Sequence, residues 1–213
     1  MPNNGRRVIA GVAAALDLIA LILTPAPVSA RALSAMVETS CGQIRLEDFP
    51  REEVEIATQA VVEACGQLHA ASMKESVEGR SWETGCRMTP LGARRRASGQ
   101  DVYRALVEQQ AGFILIRRKV GVSATVAMTD VVAREIKIMP ERFIAAAGGD
   151  RAARAALINT ITHEITHLVP ADGAPSTSRY TDSGYWLPWC SASRLVSYGV
   201  GGLAETVWLQ AHP

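Results

Sequence analysis

The chain has 213 residues, 48% hydrophobic and 20% charged, with 22 basic against 21 acidic side chains. That balance gives no electrostatic basis for binding nucleic acid or an anionic membrane, and the length suits one domain with a sizeable core. Only four histidines and four cysteines are present, so the position of each is informative.

Residues 1–30 read as an export signal. Arg6-Arg7 supplies a positive start and Val8 to Leu23 is apolar apart from Asp17. Pro25-Ala26-Pro27-Val28-Ser29-Ala30 then ends in small residues suited to a signal peptidase. The apolar run is short and interrupted, which argues against a permanent membrane span. The expectation is a secreted or periplasmic protein with no stable membrane association, whose residues 31–213 form the mature domain. Cys41, Cys65, Cys86 and Cys190 would then form two disulfides, with three connectivities open. Their wide spacing is unlike a zinc ribbon.

Leu46 to Ala71 is predicted helical from about Asp48 or Pro50, with Val54, Ala57, Ala60, Val61, Ala64 and Leu68 on one face. Glu75 to Gly99 reads as a long loop and Asp101 to Gln110 as a short helix. Phe113–Ile116, Ala124–Met128 and Val132–Met139 read as strands, the last alternating charged and apolar residues until Pro140 closes it. Arg94-Arg95-Arg96 and Arg117-Arg118-Lys119 lack interleaved aromatics and read as solvated loop charge. With no internal repeat, a single α+β domain is expected.

A third helix is predicted from an Asp150 N-cap onward, with Leu157, Ile161, Ile165 and Leu168 as its buried stripe and Pro170 beyond its end. Outside that stripe stand His163 and His167, the ends of His163-Glu164-Ile165-Thr166-His167, the pattern H-E-x-x-H. Residues four apart share a helix face, so both imidazoles can hold one zinc ion while Glu164 takes a proton from a metal-bound water. This predicts Zn2+ as cofactor and a peptide or protein as substrate. A third ligand should follow downstream. His69 and His212 are poorly placed for it, and Gly173 occupies the metzincin position. The carboxylates Asp172, Asp182 and Glu205 remain.

His163-Glu164-Ile165-Thr166-His167 followed by Asp182-Ser183-Gly184-Tyr185 resembles the aspzincins, the zincin group of deuterolysin and the fungal lysine-specific metalloendopeptidases. That family carries its third zinc ligand in G-T-x-D-x-x-Y-G. The resemblance implies Asp182 as ligand and Tyr185 as hydrogen-bond donor to the oxyanion. Here Arg179-Tyr180-Thr181 replace the family's residues before the aspartate, and Trp186 replaces the final glycine. Ala204-Glu205-Thr206 resembles the family's later Ala-Asp-Ser/Thr. Glu205 stays open as the alternative ligand, as in thermolysin-like enzymes, or as a group orienting a histidine. The implied fold is a zincin-like single domain, mainly helical, with a small sheet whose edge strand lies beside the H-E-x-x-H helix. Glu135–Met139 is the segment expected to pair with substrate there. The implied activity is that of a monomeric zinc metalloendopeptidase with Glu164 as general base. The alternative is a secreted zinc-binding protein without turnover.

Overall fold

The structure is a computed structural model and describes residues 32–84, 96–108, 113–119, 125–171, 179–182 and 195–213. The expected export signal, Cys86, Cys190, Asp172 and Tyr185 lie outside the described residues. Among the described residues, six helices and a mixed five-stranded sheet make an α+β architecture, with a separate two-stranded ribbon. No helix among them is long and apolar enough to cross a membrane.

The sheet opens with a hairpin, β1 (Leu33–Thr39) and β2 (Gly42–Phe49), which the sequence reading did not anticipate. Its turn is closed by Thr39 Oγ1, which donates to the Gly42 carbonyl at 2.9 Å, and Gly42 supplies the positive φ of 96°. Cys41 in this turn is disulfide-bonded to Cys65 of α1 (Arg51–Leu68), fastening the hairpin to the first helix. The predicted helical face is mostly correct, since Ala57, Ala60, Val61, Ala64 and Leu68 are all buried. Its start is as predicted, with Pro50 the N-cap, while Leu46 at the outer end of the predicted segment belongs to β2.

The segment expected to be a long loop instead contains part of α2 (Ala71–Glu78) and the ribbon of β3 (Ser81–Glu83) and β4 (Arg96–Ser98). Helix α3 (Gly99–Glu108) leads to β5 (Ile114–Arg118), β6 (Ala127–Asp130) and β7 (Glu135–Ile138). The strand order is β1-β2-β5-β7-β6, with β2, β5 and β7 parallel and β6 antiparallel at the rim. Ile44, Leu46, Ile114, Ile116, Ile136 and Ile138 alternate onto one face and are at most 1% exposed. The helices cover that face.

The opposite face carries charge. Arg117 bridges Glu47 and Glu135, Arg45 pairs with Glu47 at 2.6 Å, and Lys137 pairs with Glu135 at 3.0 Å. This corrects the reading of Arg117-Arg118-Lys119 as loop charge. The run lies on and just after β5, where Arg118 meets the buried Glu53 at 2.9 Å and the buried Lys119 donates to the Thr125 carbonyl at 2.9 Å.

After β7 comes α4 (Pro140–Ala147), where only a short connection was expected, and then α5 (Arg151–Thr166). The Asp150 cap is as predicted: its carboxylate accepts from the Ala152 N–H at 2.8 Å. Leu157, Ile161, Ile165 and Leu168 are buried, as their spacing requires. Helix α6 (Val196–Ala211) packs along α5. Glu63 of α1 ties the three long helices together, taking a bidentate pair from Arg154 and the indole N–H of Trp208.

Candidate metal centre

Helix α5 carries His163 in its last turn and His167 as its C-cap, still at helical φ and ψ of −71° and −18°. The two imidazoles therefore remain on one face. Their Nε2 atoms are 3.3 Å apart. Asp182 approaches from the segment before α6, placing Oδ2 2.9 Å from His163 Nε2 and 3.4 Å from His167 Nε2. Among the described residues this is the group of side chains able to hold a metal ion. Ligands about 2.0–2.1 Å from a tetrahedral zinc stand about 3.3 Å from one another. Two of the three edges, 3.3 and 3.4 Å, match that spacing, and the third is shorter at 2.9 Å.

Each corner is held from behind. His167 Nδ1 lies 2.8 Å from the Tyr180 carbonyl, which can only accept, so Nδ1 bears the proton and Nε2 keeps its lone pair for the centre. The Ser197 hydroxyl of α6 donates to Asp182 Oδ1, turning Oδ2 toward the histidines. His163 packs edge-on against the Tyr198 ring at a centroid distance of 4.6 Å.

These contacts reshape the titrations. Burial disfavours the Asp182 anion, but hydrogen bonds from both histidines outweigh it and hold its carboxyl well below the usual carboxylate range. Burial alone would lower His167. Its hydrogen bond to Asp182, the Asp182 charge, the Tyr180 carbonyl and the Glu164 charge together raise it.

Glu164 is buried beside this triangle, its Oε1 4.0 Å from His163 Nε2. Its other oxygen, Oε2, accepts from Thr129 Oγ1 of β6 at 2.6 Å. Glu205, the alternative ligand, is placed elsewhere along the cleft. It does not stand in the converging group, and its Oε2 accepts from Asn159 Nδ2 at 2.6 Å, one helical turn before His163. His69 is exposed at the end of α1.

The centre opens into a cleft of about 880 Å³, walled by β6 on one side and by α5 and α6 on the other. The strand beside it is not the one expected. β7, containing Glu135–Ile138, is paired on both sides, with β5 and β6, and has no edge to offer. β6 is the rim strand among the described residues. The Met139 N–H donates to the Val126 carbonyl at 2.9 Å, which sets the alternation. Val126, Met128 and Asp130 turn their backbone groups toward β7, while Ala127 and Thr129 turn theirs to the free edge.

Thr129, Ser197, Asn159 and Tyr198 were not singled out from sequence. A threonine in a short strand and a serine at a helix start carry no periodic or motif signal. Their roles depend on elements far apart in the chain. No family model, no curated protein and no solved structure matches this chain.

Proposed function

We propose that this chain is an exported zinc-dependent endopeptidase on a zincin-like scaffold. The observation that carries the reading is the triangle of His163 Nε2, His167 Nε2 and Asp182 Oδ2 with the buried Glu164 carboxylate beside it. Two imidazoles and one carboxylate suit zinc, and leave a fourth position for water. The chemistry a bound zinc supplies is a water acidified toward neutrality and a positive charge for the developing oxyanion.

The protein's own groups supply the rest. Glu164 takes a proton from the attacking water and passes it to the leaving amine. Thr129 holds the far oxygen of that carboxylate, leaving Oε1 toward the histidines. The rim of β6 binds an extended substrate backbone through Ala127 and Thr129, a role the sequence had suggested for Glu135–Met139. By the aspzincin resemblance, Tyr185 donates to the oxyanion. The Cys41–Cys65 disulfide and the export signal read at residues 1–30 are compatible with an extracellular or periplasmic setting.

The deciding experiment combines metal analysis with cleavage of casein and short peptides, with and without chelator. Glu164→Gln should retain zinc at the wild-type stoichiometry and lose at least about 10²-fold in peptide hydrolysis, the usual scale for a general base. Undiminished hydrolysis in that variant would remove the mechanism. Bound zinc with no turnover in the wild type would support a zinc-binding protein instead.

A further inference from the structure

Among the described residues that line the cleft, Arg142 is a cation with no structural employment. Arg142 lies in the first turn of α4, is half-buried, and lines the cleft. Its guanidinium makes no hydrogen bond or ion pair among the described residues, unlike Arg117, Arg118 and Arg154. A cation in a first turn also opposes the helix dipole. Neither helix stability nor a partner among the described residues accounts for it. Glu205 shares the cleft, but its carboxylate is engaged by Asn159 and forms no ion pair with Arg142.

The place of Arg142 along the cleft defines what it could meet. The hydrogen bond from Met139 to Val126 sets the start of α4 beside the start of β6, whereas Thr129 marks the level of Glu164. Val126 and Thr129 are three strand steps apart, roughly 10 Å. A peptide pairing antiparallel with β6 runs from the Asp130 end toward Val126, so its C-terminal side reaches Arg142. An extended chain crosses that span in two to three residues.

We propose that Arg142 is a specificity residue that binds a carboxylate two or three residues beyond the scissile bond, on its C-terminal side. The assignment rests on the peptidase reading. A guanidinium presents a planar fork of donors that matches a carboxylate in two hydrogen bonds. The carboxylate has two sources: the free C-terminus of a short peptide, or an acidic side chain within a longer one.

The test uses one peptide sequence in three forms, after mass spectrometry has located the cleaved bond. The first ends in a free carboxylate at the stated position, the second is amidated there, and the third is amidated but carries a glutamate side chain. The wild type should cleave the first, the third or both with kcat/KM at least about tenfold above the second. Preference for the first alone identifies a C-terminal reader; preference that includes the third identifies an acidic-residue reader. Arg142→Gln should bring the ratio near one, and Arg142→Lys should keep part of it. A wild-type ratio of one, or a ratio unchanged in Arg142→Gln, overturns the proposal. If no form is cleaved, the peptidase reading falls. The Arg142 assignment is then decided by fluorescence-anisotropy titration of the same three peptides onto wild-type protein and Arg142→Gln.

Discussion

Thr129 Oγ1, 2.6 Å from Glu164 Oε2, is the contact on which the proposed base depends for its orientation. A buried carboxylate with one oxygen held can present only the other, which reduces the rotamers available at the reacting centre. Thr129→Val keeps the β-branched shape that suits a strand and removes the hydroxyl. The expected outcome is a fall in kcat of about tenfold, in line with the loss of one hydrogen bond to a charged group, with KM little changed. Thr129→Ser should recover most of the loss. An undiminished kcat in Thr129→Val would show that the threonine serves only to pack. Glu205 teaches a related lesson: helical spacing made it a plausible ligand, yet its carboxylate meets an amide from the neighbouring helix.

At the scale of elements, the centre requires α6 to lie unusually close to α5, because Ser197 must reach Asp182 while Tyr198 meets His163. Gly201 permits this approach. A Cβ built there would lie 2.4 Å from Asn159 Oδ1 and 3.1 Å from His163 Cβ. Gly201→Ala therefore forces α6 outward, despite alanine being the better helix former. Overpacking of this kind costs about 1–3 kcal/mol, read as a lower midpoint in denaturant unfolding. Zinc affinity should fall in parallel, because the Ser197 clamp moves with the helix. A stabilised variant with unchanged zinc affinity would show that the close approach is not needed. The rim strand follows similar reasoning. Glu135–Ile138 has the alternation of a half-exposed strand, but it is shielded by the charged ladder of its neighbours rather than by lying at an edge. Alternation reports which face is apolar and does not report which strand is last in the sheet.

For the whole molecule, the centre couples stability to pH and, under the proposed function, to zinc. In the ion-free protein His167 is raised, so its contribution is full below the ordinary histidine value and is lost as pH rises through the folded value. Asp182 is depressed, so its contribution is full above the ordinary aspartate value and is lost as pH falls. The pair thus stabilises the ion-free fold between about pH 4 and about 6.5. Zinc needs both imidazoles neutral and competes with those protons. The zinc-induced rise in Tm is accordingly expected to be larger at pH 8 than at pH 5.5, measured by thermal unfolding with and without the ion. Equal rises at both pH values would exclude the imidazoles as the binding groups.

Much of this protein was legible in its sequence where the signal is local. The Asp150 cap, the buried stripe of α5 and the shared face of His163 and His167 all follow from helical geometry over a few residues. The hairpin of β1 and β2, helix α4 and the ribbon in the expected loop were not legible, because short or mixed patterns acquire their structure from the partners they pack on. The same division runs through the site. Sequence alone proposed two imidazoles and a base, since one turn of helix places them. Only the tertiary structure brought Asp182 rather than Glu205 to the imidazoles, set Thr129 on Glu164 and put β6 at the rim of the described sheet. Those choices depend on how chain segments that are distant in sequence close on one another, and no spacing along the chain encodes that distance in space.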